Sequence, residues 1–274
     1  MLSIEFNREV DFDEHAMNVL TNVTWAQPLL ACLNARGGVK PENIGLLFEL
    51  RFALELYRAG ITAEYEYATG VGDSSIDFRF KHGQEWLIEV VSVFESEAVK
   101  RATRQEDQCY ETLLMTNDAD PTQSPEGEMI RVGEKIGDKV FDKRKGKPTK
   151  FPIPNGAIHL IVVDMRGYLG RGLNSSRGNY RPDYLQIAYG TNGNSLESSW
   201  MPRTWPDASG NRMPIKGLFE KTNPLKSAAL IQQRIHFLGF VHERQYSEGE
   251  IADVGFYIPN ISIFNGKQEA RNTY

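Results

Sequence analysis

Residues 74–93, SSIDFRFKHGQEWLIEVVSV, constrain the fold of this chain more than any other stretch. Two strand-like runs, 76–81 and 86–93, flank a tight turn at His82-Gly83-Gln84 and predict an antiparallel hairpin. Symmetry about Gly83 sets Asp77 opposite Glu89, Arg79 opposite Leu87 and Lys81 opposite Glu85. Directly opposed residues share a face of the sheet, so Asp77 and Glu89 are expected roughly 5–6 Å apart at Cβ. Carboxylates that close repel, and one takes up a proton unless a cation lies between them. A divalent cation removes the conflict, and Mg²⁺ is commonly held by one or two carboxylates together with water and substrate phosphate.

The elements around the hairpin predict a mixed α/β fold. Residues 1–40 read as helical, with Leu20, Leu29, Leu30, Cys32 and Leu33 as apolar positions up to Gly37-Gly38. PENIGLLFELRFALELYRAG is the clearest helix, its Leu46, Leu50, Ala53, Leu54 and Tyr57 recurring near helical spacing between Pro41 and Gly60. ITAEYEYA follows as a strand and TGVGDS as a loop before the hairpin. Beyond it, ESEAVKRATRQEDQCYETLLM reads as a long polar helix, NDADPTQSPEGE as a surface loop and IGDKVFDK as a shorter helix. AIHLIVVDM, apolar on both faces, is a buried strand. Residues 166–219, rich in Gly, Asn, Ser, Pro and aromatics, give no firm element; LKSAALIQQR then reads as a helix, and IHFLGFVHE and VGFYIPN as strands. The expectation is a single domain, 1–274, made of a helical extension (1–40), a core (41–165) and a β-rich C-terminal elaboration (166–274).

Composition narrows the class. With 41% hydrophobic and 24% charged residues the chain is neither disordered nor fibrous. Two cysteines, Cys32 and Cys109, cannot build a disulfide framework and fit a reducing compartment. The opening MLSIEFNREVDFDEH carries acids and lacks the apolar stretch of a signal peptide, and no run suggests a membrane span. A cytoplasmic protein with no membrane partner is expected. A net charge of −5 argues against a small basic DNA-coating protein while leaving room for a local basic groove.

A helix bearing Glu49, then a strand, then Asp77 and Glu89-Val90-Val91, resembles the core of the PD-(D/E)XK nuclease superfamily, the restriction-endonuclease-like fold. The resemblance covers roughly residues 44–165, including the helix after the motif and the strand AIHLIVVDM. It implies a mixed central sheet flanked by helices and a Mg²⁺- or Mn²⁺-dependent endonuclease, a hydrolase of phosphodiester bonds. DNA is the expected nucleic acid and a homodimer an expected assembly. Glu49, Asp77 and Glu89 would be the metal ligands and catalytic carboxylates. Ile76 replaces the proline that usually precedes the aspartate. Glu55 is a rival on the same helix, but Glu49 faces more nearly the apolar side marked by Ala53 and Tyr57.

The family's lysine, two residues after the glutamate, is absent, and Val91 stands in its place. Two readings follow. In one, the cation has moved to another element. Lys81 shares Asp77's face but lies about 13 Å along the strand. The next helix must pack close to the end of the glutamate strand, which makes Lys100 the first candidate for a catalytic role, ahead of Arg101, Arg104, Gln105 and Gln108. In the other, the fold persists as a catalytically inactive nucleic-acid- or protein-binding module. An unrelated α/β enzyme whose hairpin acids lie on a solvated surface is a third reading.

The remaining motifs carry less. The basic run DKRKGKPTK holds Lys143, Arg144, Lys145, Lys147 and Lys150; it is either a solvated surface or, together with Arg104, a path for a phosphate backbone. His82, His159, His236 and His242 have no zinc-ligand spacing. GYLGRGLNSSRG lacks the Lys-Ser/Thr end of a phosphate loop. Trp200 and Trp205 could stack on bases, although packing of a long loop is the commoner use of such residues.

Overall fold

The structure, a computed structural model, describes residues 3–106, 109–112, 114–115, 120–168, 180–191, 202–207, 209–243 and 250–264. In chain order the elements are α1 (Ser3–Leu20), α2 (Gln27–Ala35), α3 (Ile44–Arg58), β1 (Ala63–Tyr67), β2 (Ile76–His82), β3 (Gln84–Ser92), α4 (Glu97–Ala102), β4 (Thr103–Glu106) and β5 (Cys109–Thr112). Then come α5 (Pro125–Asp138), β6 (Phe141–Asp142), β7 (Lys147–Pro148), β8 (Ile158–Asp164), α6 (Arg181–Tyr189), β9 (Thr204–Pro206), β10 (Arg212–Pro214), α7 (Lys226–Arg234), β11 (Phe237–Val241), α8 (Ile251–Val254) and β12 (Gly255–Pro259). The central sheet has six strands in the order β1-β2-β3-β8-β11-β12. Its β3–β8 and β8–β11 pairs are parallel and the others antiparallel. The chain is therefore α/β, with a mixed six-stranded sheet flanked by helices.

Strand β8 explains the layering. Its Ile161 and Val163 join one apolar core with Met129, Val132 and Ile136 of α5 and Ala228 and Ile231 of α7. Leu160 and Val162 join a second core with Leu47, Leu50 and Leu54 of α3 and Leu29 and Leu33 of α2. A strand covered on both faces needs apolar residues at successive positions, as AIHLIVVDM supplies.

Helix α3 ends as its sequence directs. Gly60 sits at φ +69, Gly60 N–H donates to Tyr57 O and Ile61 N–H to Leu56 O, the paired bonds of a left-handed C-terminal cap. Helix α5 begins on Ser124, whose Oγ accepts from Gly127 N–H, with Pro125 in the first turn and Glu126 and Glu128 facing the helix's positive end.

Two expectations about elements need correction. The long helix after β3 does not form: α4 is six residues long, and from Thr103 the chain turns into the β4–β5 hairpin, where Thr103 Oγ1 and Thr112 Oγ1 lie 2.8 Å apart. That segment has no apolar stripe with which to hold a helix against the sheet, and its β-branched threonines pair across strands instead. The covering helix is α5, which starts inside the stretch read as a loop, while Phe141-Asp142 of the predicted short helix is strand β6. The described residues of the C-terminal part hold both strands and helices. They contribute α6 and α7, and β11 and β12 complete the central sheet. The Gly-rich stretch beyond Tyr168, Gln108 and Trp200 lie outside the described residues.

Candidate active site

The β2–β3 register matches the symmetry about Gly83, with Arg79 opposite Leu87 and Lys81 opposite Glu85. The paired ladder reaches Phe78 and Ile88, one step short of Asp77 and Glu89. There the strands part, and Val90 N–H donates to Asp77 Oδ2 at 2.7 Å instead of to a backbone carbonyl. The aspartate thus ends the ladder by standing in for it. Glu66 lies across from Asp77 in β1, between the pairs Tyr65–Phe78 and Tyr67–Ile76.

Glu89 is fully buried, and its Oε1 accepts from two ammonium groups, Lys139 Nζ at 2.6 Å and Lys150 Nζ at 2.5 Å. Lys150 Nζ also lies 3.9 Å from Asp77 Oδ1. Glu89 Oε2 is buried without a hydrogen-bond partner. Glu49 joins from α3, where Tyr65 Oη donates to its Oε2 at 2.6 Å. Burial pushes the Glu49 pKa up to about 6, opposed by the Tyr65 hydrogen bond, with Glu89 raising it further and Lys139 and Lys150 lowering it. Asp77 is driven well above the usual carboxylate range by burial and then by the charges of Glu89 and Glu49, with Lys150 and Lys139 in partial opposition. Burial pulls the Lys139 pKa down, but Glu89, Asp77 and Glu49 outweigh it and the net direction is up. Three acids and two lysines therefore share one electrostatic neighbourhood.

Backbone geometry converges on the same place. Among the described residues, the non-glycine positions with positive φ are Glu66 (+53) and Lys150 (+60), one across the ladder from Asp77 and the other touching it. Such conformations cost of order 1–3 kcal/mol and persist where surroundings over-determine them, often at functional sites. The surroundings of Lys150 are clear. Its N–H donates to Val71 O at 3.1 Å, its carbonyl accepts from Thr69 Oγ1, and Thr149 Oγ1 lies 2.6 Å from Ser74 Oγ. Gly72 lets the two loops touch, since a Cβ there would sit 3.1 Å from Thr149 Oγ1 in a backbone of φ +69.

No protein-family model, curated protein or solved structure matches this chain.

The expected site residues fare unequally. Asp77, Glu89 and Glu49 share one neighbourhood, but among the described residues no group of three or more His, Cys, Asp and Glu is placed to hold a metal ion. Glu49 is held by Tyr65. The group left for a cation is Glu89 Oε2, buried without a hydrogen-bond partner, and Mg²⁺ needs no more than one or two carboxylates. Lys100 is not among the ammonium groups at Glu89. It is half exposed and pairs with Glu97 at 2.8 Å, because α4 is a short surface helix. The ammonium groups at Glu89 come instead from Lys139, at the end of α5, and from Lys150, after β7. Val91, on Glu89's face, is buried in the apolar core with Met129 and Val132.

Lys143, Arg144, Lys145 and Lys147 are exposed around the β6–β7 hairpin, the segment that leads into Lys150. Lys143 pairs with Asp138 at 3.0 Å, and Lys145 and Lys147 lie 2.5 and 3.9 Å from Asp73. Exposed pairs of this kind contribute little and are screened by salt, so the lysines can exchange partners. Arg104 is exposed on β4. Trp205 packs in the β9–β10 hairpin across from Met213. His159 and His236 form an internal pair, with His236 Nδ1 accepting from His159 N–H at 3.0 Å. No helix among the described residues is long and apolar enough to cross a membrane.

Proposed function

We propose that this chain is a Mg²⁺- or Mn²⁺-dependent phosphodiesterase acting on nucleic acid, with DNA as the expected substrate. The reading rests on the likeness to the PD-(D/E)XK arrangement, with the motif lysine supplied from elsewhere in the chain. The observation that carries it is Glu89, a fully buried carboxylate that shares Lys150 with Asp77, with one oxygen on two lysines and the other on nothing. A divalent ion would be held by Asp77 and Glu89. When bound, it would neutralise phosphate charge and make water a better nucleophile.

The protein's own residues have distinct tasks. Lys150 and Lys139 set two positive charges against Glu89 inside the fold, and one of them can turn toward a phosphate oxygen as charge develops there. Glu49, with a pKa of about 6 and an oxygen left free of Tyr65, is suited to accept a proton from the attacking water near neutral pH. Hydrolysis joins the water oxygen to phosphorus as the bond to the leaving sugar oxygen breaks, and that oxygen takes up a proton. The basic β6–β7 hairpin, continuous with Lys150, would carry the phosphate backbone past the site.

A specific observation favours a second reading. Two ammonium groups on one carboxylate form an ion network that needs no metal, as expected of an inactive binding module. Cleavage of plasmid and single-stranded DNA with Mg²⁺ or Mn²⁺, comparing wild type with Asp77→Ala, separates the two. Metal-dependent cleavage lost in the variant supports the enzyme, and DNA binding without cleavage by wild type supports the module.

A further inference from the structure

A cavity of about 390 Å³ opens on the face of the sheet that α3 covers, toward the β2–β3 turn. This size is within the range of small-molecule sites. Six rings line it, those of Phe52, Phe80, His82, Trp86, Phe237 and Tyr257, and Phe80 and Trp86 stack with centroids 6.2 Å apart and planes 12° from parallel. The charged residues in its wall are Glu55 and Glu250; no lysine or arginine is among the described residues lining it.

Among the described residues, the cation paired with Glu55 is Arg51. Arg51 Nε lies 3.4 Å from Glu55 Oε1, but the guanidinium fork is spent on Glu243, which it grips through two nitrogens. Among the described residues, this one buried guanidinium is therefore shared between Glu55 and Glu243, and Glu250 stands exposed at the rim. Burial pushes the Glu55 pKa up to about 7, with the Ile251 N–H and Arg51 opposing and Glu250 and Glu243 reinforcing. Glu55 also accepts from Ile251 N–H at 2.8 Å, which aligns its carboxylate. Rings with electron-rich faces beside an under-neutralised carboxylate favour a positive guest over a neutral one of equal size.

We propose that this cavity binds a small organic cation, an ammonium group bearing apolar or aromatic substituents, with Glu55 and Glu250 facing the charge and the rings enclosing the substituents. The site is separate from the carboxylates on β2 and β3 and does not depend on the nuclease reading.

Titration calorimetry with benzyltrimethylammonium and with neopentylbenzene, its neutral isostere, isolates the charge. The cation should bind ~10-fold more tightly than the isostere. Glu55→Gln should erase most of that preference, and Glu250→Gln, at an exposed position where folding is not at stake, should reduce it. Trp86→Leu should weaken both compounds. Equal affinity for the two compounds, a preference that survives both glutamate substitutions, or binding of neither at millimolar concentration would overturn the proposal.

Discussion

Lys150 offers the sharpest test, because its charge and its backbone can be separated. Replacing it with Met keeps the apolar stem and deletes the ammonium. Glu89 would keep Lys139 at 2.6 Å, so the charge is not stranded and the full loss of a broken buried pair does not apply. What disappears is one charge-assisted hydrogen bond at 2.5 Å to a fully buried oxygen, about 1.5–3 kcal/mol. Lys150→Gly deletes the same ammonium and also relieves the left-handed backbone, worth about 1 kcal/mol. Lys150→Gly also loses the buried stem that Met keeps. Urea unfolding of the metal-free protein should therefore place both variants below wild type. Cleavage should treat the two variants alike, each losing roughly 100-fold if Lys150 meets the developing phosphate charge. A Met variant within ~0.5 kcal/mol of wild type would refute the claim that Lys150 holds Glu89. Unimpaired cleavage in both variants would move the catalytic ammonium to Lys139.

Glu49→Gln should flatten part of the pH dependence of stability. A carboxyl whose folded pKa is raised, here from 4.5 to about 6, favours folding most below the lower value and loses that advantage as pH climbs through the upper one. The wild-type loss, up to about 2 kcal/mol between pH 4 and pH 7.5, should be reduced in the variant by chemical denaturation at each pH. Val91→Lys should not restore a motif lysine. Residue 91 is 4% exposed among apolar side chains, so the variant should lose ~3 kcal/mol or more by thermal or urea melts, and a variant as stable as wild type would contradict that packing. Replacing Lys143, Arg144 and Lys145 with Ala should weaken DNA binding without sequence preference and flatten the log-affinity against log-salt slope by roughly one unit per lost phosphate contact. An unchanged slope would leave the run as a solvated surface.

The hairpin register was legible because a tight turn at Gly83 admits one symmetrical pairing, and the buried strand β8 because its apolar run has no polar face. Helix α5 is masked in the sequence by its polar first turn. Ser124-Pro125-Glu126 is a helix-start signal in its own right, and with it the helix ends at Lys139. The two lysines at Glu89 are legible only in three dimensions. Lys139 follows a helix boundary, and Lys150 is turned inward by its contacts with Thr69 and Val71, beside the close approach of Gly72 to Thr149, which no local pattern announces. Counting Lys150 with the basic run gave it the right charge and the wrong address. Lys100 failed for the converse reason, since its candidacy assumed a long helix that the segment has no apolar face to anchor.

Glu89 meets its two lysines 50 and 61 residues further along the chain. During synthesis the β2–β3 hairpin therefore leaves the ribosome with an anionic side chain on the face that must later be sealed. It cannot be covered at low cost until α5 and the β6–β7 hairpin have both emerged. Until then that face stays hydrated, which keeps an otherwise sticky strand from docking on the wrong partner. The same charge that suggests chemistry in the finished protein thus acts as a timing device while the protein is being made.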